Sequence, residues 1–581
     1  MLSYLSEILE KKQKKQFVII ALMMMVSGLL EIISLGILLP FLSFLVNPEI
    51  VTTNSYVIKY GPDLSSFNYY ELLIVSLSLI FLTFAIKSLY MIWFHYKKNK
   101  FIFKISDSIS IKIFSQNIVK PYSSHLENKS SNLILNCINE VNIFSNNVLL
   151  AGLEFLSEVI LIFFIVSLLF IIDPVVSIFT FMTGLSLFLI FQSFTKSKLK
   201  NWGSIRQSSE EQMIEKIQQG FNGIKEIVIF LKERFFIESY SNAIKTRSEV
   251  NVKYQTLIDI PKIILELVAI IMFVVMIYFI LSSNQNFKYL VPIIGLYVGA
   301  SFKLLPSLNR IIVSGQRFKN NSATIMTIHN QLKNYEKIKE SINKILTLNK
   351  VAPLNFKKNI ILKNIFFKYP DKKNFVFENM NLNIKKGETI GIVGKSGEGK
   401  STLVNILCGF IVPTEGLILV DDIDIQKNLR EWRATLGYIP QLTYLFNDTI
   451  SNNISFYSDD KKIEEKKLKE IIEISELKHL LEEIPLDKET IVGERGILLS
   501  GGQAQRIALA RTIYKDPQVL ILDEATSSLD FGSEKKIFES IKSFMGKKTI
   551  IIVSHRENTL SFCNKIYRVQ NKKCIQIYNK I

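Results

Sequence analysis

The alternation of apolar and polar positions divides the chain into two regimes. In the first, apolar runs recur at 17–46, 72–95, 148–172, 175–195, 256–281 and 289–314. Each is long enough to cross roughly 30 Å of hydrocarbon as a helix, which takes about 20 residues. The third and fourth runs are parted only by Ile172, Asp173 and Pro174, a spacing that predicts a tight helical hairpin. The last two are joined by the short polar stretch Ser282 to Lys288. The connections at 96–147 and 196–255 are too long to be turns, and stretches such as Glu211 to Arg234 keep helical spacing with few Gly or Pro. Several helices should therefore continue well past the bilayer. The second regime replaces long apolar runs with short strand-like ones, among them Thr389 to Val393 and Val519 to Leu522. The pattern predicts a membrane domain at 1–330, a linker at 331–354 and an α/β domain at 355–581.

Charge orients the spans. Residues 96–147 carry seven Lys and residues 196–255 carry eleven Lys or Arg, whereas 47–71 holds only Lys59. By the excess of positive charge on cytoplasmic connections, the long basic segments are cytoplasmic. The net charge of +18 lies mainly beside the apolar segments. With no zinc spacing or nucleic-acid motif beside it, this charge points to lipid and an anionic substrate rather than to nucleic acid. Lys11, Lys12, Lys14 and Lys15 precede the first run as in a signal peptide, but the run is too long and lacks a small-residue cleavage site, so it reads as a retained span. Cys137, Cys408, Cys563 and Cys574 form no C-x-x-C pair and read as ordinary reduced residues.

The chemistry lies in the second regime. Thr389 to Val393 leads into Gly394-Lys395-Ser396-Gly397-Glu398-Gly399-Lys400-Ser401, followed by a helix-like run from Thr402. This is a phosphate-binding loop in its strand-loop-helix setting. Glycines let backbone N–H groups turn toward phosphates, Lys400 meets the β- and γ-phosphates, and the Ser401 hydroxyl ligates Mg²⁺. A second apolar run ends in Asp523 and Glu524. That pattern puts Asp523 on the Mg²⁺ shell and Glu524 beside the attacking water.

Between these motifs stands Leu499-Ser500-Gly501-Gly502-Gln503, and with it the chain resembles the ATP-binding cassette family. The resemblance implies a multidomain membrane protein: a six-helix α transmembrane exporter domain followed by an α/β P-loop ATP-binding cassette domain. It implies that Tyr369 stacks on adenine, that Gly394, Ser396, Gly397, Gly399, Lys400, Ser401 and Thr402 hold ATP, and that Gln441 joins Ser401 and Asp523 around Mg²⁺. Asp530 matches the D-loop and His555 the switch histidine, a catalytic partner of Glu524. Ser500, Gly501, Gly502 and Gln503 of one subunit would close over the nucleotide held by Lys400 of another, so a homodimer is expected, with a heterodimer as the alternative. Val492 to Gly496 resembles a segment that touches the partner's cytoplasmic helices in exporters. Three departures stand out: Glu398 and Ala504 replace a usual small and a usual basic residue, and Ser554 precedes His555 where Ala is common. Glu398 is expected to point outward, away from the phosphates.

Lys87, Lys262 and Lys303 lie within or at the cytoplasmic ends of apolar runs, where cations are costly and face a cavity or a partner. Alternatives are pairing of Lys262 with Glu266, or snorkelling. The stretches Ile86 to Tyr90, Ile260 to Ile263, Lys303 to Arg310 and Phe446 to Ile450 resemble bacterial lipid-linked oligosaccharide flippases, in which 47–71 would be a short outer-face element and Arg is preferred at the three lysine positions. That resemblance implies a polyprenyl diphosphate bearing sugars as cargo, its diphosphate met by the lysines, in a bacterial inner membrane. Alternatives are an exporter of peptide, lipid A core or drug, and, from another class, a non-transport cassette ATPase.

Overall fold

The computed structural model describes residues 4, 7–46, 68–172, 174–282, 287–347, 351–370, 372–456, 464–477, 489–525, 531–554 and 556–579. They form two compact units, the first comprising residues 1–120 and 128–342 and the second 121–127 and 343–581.

The first unit is helical. In chain order it contains α1 (Lys11–Gly36), α2 (Leu38–Val46) and α3 (Tyr69–Val119). Then, after α4 (Tyr122–Glu127) of the second unit, come α5 (Ser130–Ile172), α6 (Pro174–Asn222), α7 (Glu233–Ser282), α8 (Phe287–Asn320) and α9 (Ser322–Thr347), whose residues from Asn343 on belong to the second unit. At 1.5 Å per residue, α3, α6 and α7 are each about 75 Å long, more than twice the hydrocarbon thickness. Their apolar runs therefore extend as helix into polar sequence at one end. Local chemistry sets the starts and stops. Glu71 reaches back to accept the Asn68 N–H at 2.9 Å before α3, and α3 stops two residues before Pro121. Asp173, at the predicted hairpin between α5 and α6, lies outside the described residues, as do residues 47–67 of the expected outer-face element.

Among the described residues, four helical stretches are long and apolar enough to cross a membrane: Lys11–Val46, Tyr69–Val119, Ser130–Ile172 and Ser177–Asn222. The outward apolar face of α3, with Phe81 at 76% and Leu89 at 69% exposure, is what a lipid-facing helix presents. The chain is a multi-pass membrane protein. Two irregularities were not expected. α5 contains π-helical segments at Leu135–Asn139 and Phe144–Leu149. Residues 331–347, read as linker, continue the helix α9, whose buried Ile325, Ile328, Leu332 and Ile342 form an apolar stripe at helical spacing.

In the second unit, β1 (Asn359–Phe367), β2 (Phe377–Lys385), β4 (Glu415–Val420) and β5 (Ile423–Asp424) form an antiparallel sheet of order β2-β1-β4-β5. A second sheet has the order β10-β9-β3-β8-β7-β6, from β3 (Thr389–Val393), β6 (Leu436–Ile439), β7 (Val519–Asp523), β8 (Thr549–Val553), β9 (Lys565–Gln570) and β10 (Lys573–Asn579). All its pairings are parallel except that of β10 with β9. β7 and β8 are buried along their whole length, as parallel strands covered on both faces must be. Because β8 lies between β3 and β7, the carboxyl ends of β3 and β7 open on the same edge, where ligands bind in such sheets. The fold is a helical transmembrane domain followed by an α/β cassette domain.

Candidate active site

The loop after β3 leads into α10 (Lys400–Leu407), whose N-cap is Gly399. Gly399 has φ +105°, and a Cβ there would stand 2.8 Å from Val376 Cγ1, so only glycine completes this turn. Lys400 is buried and its Nζ donates to the carbonyls of Gly394 at 2.8 Å and Lys395 at 3.1 Å, which holds the ammonium across the mouth of the loop. The Tyr369 hydroxyl lies 3.1 Å from Thr402 Oγ1, which brings that ring beside the first turn of α10. Ser401 is exposed at the same turn. Glu398 corrects the sequence reading. Its carboxylate turns back and accepts the Lys395 N–H at 2.7 Å, because an unpaired loop amide offers a better partner than water.

Asp523 ends β7, buried to 8% exposure, and its Oδ2 accepts the Tyr438 hydroxyl at 3.4 Å. Burial pushes its carboxyl above the ordinary range, and the charge of Glu524 pushes the same way; the Tyr438 hydroxyl and Lys400 pull it back. Glu524 has φ +49°, a left-handed conformation costly for a residue with a side chain and concentrated at functional sites. Its N–H is fixed on the Val553 carbonyl at 3.0 Å, and its Oε2 accepts Gln441 Nε2 at 2.6 Å. The structure thus brings Gln441, Glu524, Asp523 and Tyr438 together. His555 and Asp530 lie outside the described residues.

Ser500 caps α11 (Gly501–Tyr514). Gln503 N–H donates to Ser500 Oγ at 3.3 Å while Gln503 Oε1 accepts the Ser500 N–H at 2.7 Å, a reciprocal capping box. Ser500 and Gly501 are exposed and Gly502 is half-buried, so this helix N-terminus faces outward with free anion-attracting character. Gly493 precedes and Gly496 ends the short turn Glu494–Gly496, both at positive φ.

In the first unit the three lysines separate. Lys87 is buried and its Nζ lies 2.7 Å from Glu31 Oε2 and donates to Ser34 Oγ at 3.2 Å. Lys303 Nζ lies 3.2 Å from the other oxygen, Glu31 Oε1, with its side chain 45% exposed. Lys262 is exposed on α7, and among the described residues neither it nor Glu266 joins an ion pair. Of the three expected lysines, Lys87 and Lys303 meet on one carboxylate and Lys262 stands apart from them. A buried ammonium needs a counter-charge, and Glu31, 4% exposed within α1, supplies it. Glu31 was missed, although a carboxylate inside a long apolar run is a signal of this kind.

Residues 377–527 match the protein-family profile described as ABC transporter. An ATP-dependent lipid A-core flippase from Pseudoalteromonas translucida is 41% identical over 37% of this chain and 38% of its own length. The alpha-hemolysin translocation ATP-binding protein HlyB of Escherichia coli is 40% identical over 37% of this chain and 30% of its own. The chain spans well under half the length of these two curated relatives. Among solved structures, a bacterial Atm1-family ABC exporter with ATP bound superposes with TM-score 0.74 at 19% identity, over 98% of this chain and 95% of the other.

Proposed function

We propose that the chain is half of an ATP-driven exporter that moves a lipid-linked, anionic-headed substrate from the cytoplasmic side of the membrane, the cargo suited best being a polyprenyl diphosphate bearing sugars. The observation that carries the ATPase reading is Glu524, held at positive φ and bonded to Gln441 beside the buried Asp523. Tyr369, Gly394, Ser396, Gly397, Gly399, Lys400, Ser401 and Thr402 would hold ATP, and Ser401, Gln441 and Asp523 would hold Mg²⁺. The glycine-only turn at Gly399 and the carboxylate and hydroxyl donors suit both groups. The bound metal supplies charge neutralisation at the phosphates. Glu524 orients and deprotonates the attacking water, and Lys400 neutralises phosphate charge.

The exposed end of α11 supports a composite site in which Ser500 and Gly501 of one subunit face Lys400 of a second copy. In mixed dimers, Lys400→Ala with Ser500→Arg chains should regain one intact site and ATPase above either parent. A mixed dimer that forms and stays as inactive as its parents refutes the composite site.

The cargo reading rests on Glu31, Lys87 and Lys303, a group that retains one unit of positive charge with Lys303 reaching the surface. An anionic head group entering a low-dielectric region needs such a partner. The named activity of the Pseudoalteromonas relative supports a lipid as cargo and makes lipid A core the rival. Lys303→Gln with Lys262→Gln should stop flipping of a lipid-linked oligosaccharide in vesicles while basal ATPase persists. Unchanged flipping would remove the lysines from the path, and flipping of lipid A alone by the unaltered chain would replace the cargo.

A further inference from the structure

We infer that the first unit carries a saccharide-binding site in a cavity of about 410 Å³ between α5, α6, α7 and α8. The inference deepens the cargo reading and rests on it only in attaching the sugar to a lipid. The contributing residues lie beyond the apolar runs on the side of the long basic connections, from Asn147 beside its run to Glu210 about four turns past its own, so the cavity stands between the spans and those connections.

The walls are amide-rich. Asn139, Asn142 and Asn147 come from α5, Asn251 from α7, Asn320 from the end of α8 and Asn321 from the turn that follows it. An amide offers both a donor and an acceptor. The charged residues pair: Arg206 Nη1 donates to Glu210 at 3.2 Å, its Nη2 lies 4.0 Å from Glu140, and Arg247 Nε lies 3.5 Å from Glu210. In the wall two guanidiniums share Glu210, with Glu140 behind Arg206, which leaves little free charge to recruit an anion. An apolar occupant would strand the amides. A neutral ligand dense in hydroxyl groups satisfies them, with the Tyr254 ring available to its apolar face.

The site is built and part of its capacity is unspent. Asn320 is 4% exposed and Arg206 is 8% exposed, yet Asn320 Oδ1 and Arg206 Nε have no hydrogen-bond partner. Such orphaned polar atoms cost about 1–3 kcal/mol each unless a ligand or water meets them. Backbone irregularity aims the wall. Five residues of α-helix would turn Asn142 and Asn147 about 140° apart, and the π segment at Phe144–Leu149 underwinds α5 so that both reach the cavity. Gly203 fixes the opposite wall, since a Cβ there would stand 1.7 Å from the Asn320 carbonyl oxygen.

The test uses the full chain in lipid nanodiscs with two probes, a bare polyprenyl diphosphate and the same lipid bearing a neutral oligosaccharide, together with saturation-transfer NMR on free maltoheptaose and chitohexaose. The expected result is about tenfold or more tighter binding of the glycosylated lipid, lost in Asn142→Leu and Asn251→Leu while binding of the bare lipid is unchanged. Variants with Gln at these positions, which keep the amide, should retain part of the preference. If neither lipid binds, the cargo reading fails, and the free-sugar measurement decides the cavity by itself: a transfer signal abolished by Asn251→Leu supports the site. A glycan preference or sugar signal untouched by the Leu variants, or none in the unaltered chain, overturns it.

Discussion

Gln441 Nε2 lies 2.6 Å from Glu524 Oε2, so the residue proposed to activate water is tied to a neutral amide from the end of a neighbouring strand. Replacing that amide by a carboxylate sets two like charges against each other, and one pKa must rise. In Gln441→Glu the acid limb of the ATPase pH profile should therefore move upward by about one unit or more, with turnover reduced even at its optimum. Glu524→Gln should keep nucleotide binding and lower hydrolysis by about 10²–10⁴-fold. A pH profile that does not move in Gln441→Glu, or near-normal steady-state turnover in Glu524→Gln, would contradict the assignment.

Glu31 holds two lysines, so its loss should cost more than the loss of either partner. Glu31→Gln leaves Lys87 buried without a counter-charge and should destabilise the first unit by about 3–5 kcal/mol. The double variant Glu31→Gln with Lys87→Gln should recover much of that. Thermal unfolding in detergent, read as a double-mutant cycle, checks it, and additive effects would show that the pair is uncoupled.

Glu398 places a negative charge on the loop that would receive phosphates, held there by the Lys395 N–H. Glu398→Ser should tighten ATP binding by about fivefold to tenfold, in line with removal of one charge at about 4 Å in a water-like dielectric, about 1 kcal/mol. Nucleotide titration at fixed salt measures this. Weaker binding in the variant would mean that the carboxylate instead braces the loop.

The cysteines of the nucleotide unit should resist alkylation in the folded state. Burial pushes the thiols of Cys408 and Cys563 up to about 12. A raised thiol pKa means less thiolate at any pH below it, so at pH 8 the reactive fraction is about one in 10⁴, and labelling grows only as pH climbs toward 12 or the unit unfolds. Fast maleimide labelling of either residue at pH 8 would show that the site opens.

Much of the nucleotide chemistry was legible because its demands are local. A loop that needs glycine at positive φ, a lysine and a hydroxyl must carry them within eight positions, as Gly394 to Ser401 does. The membrane charges were read only in half. Lys87 and Lys303 announce themselves as cations in apolar runs, but the carboxylate between them comes from α1, and nothing in sequence spacing connects three separate helices. The stretch from Asn139 to Asn147 reads as an ordinary polar connection, since π underwinding leaves no periodic mark in so short a segment. Residues 331–347 read as linker because the helical stripe of α9 is interrupted by many Lys and Glu that face water.

The Tyr122 ring of α4 rests 5.2 Å from that of Phe410, which in turn meets Tyr438 at 5.8 Å. The nucleotide unit is thereby discontinuous in the chain: residues 121–127 belong to it, and its other residues begin at 343. During synthesis α4 emerges roughly 200 residues before the strands it packs on, an interval of about 10–40 s at ordinary elongation rates. The nucleotide unit therefore cannot complete itself as a nascent segment of its own. Its last aromatic contact waits on a helix made long before, and a fragment begun at Asn343 would fold with the Phe410 ring turned toward water.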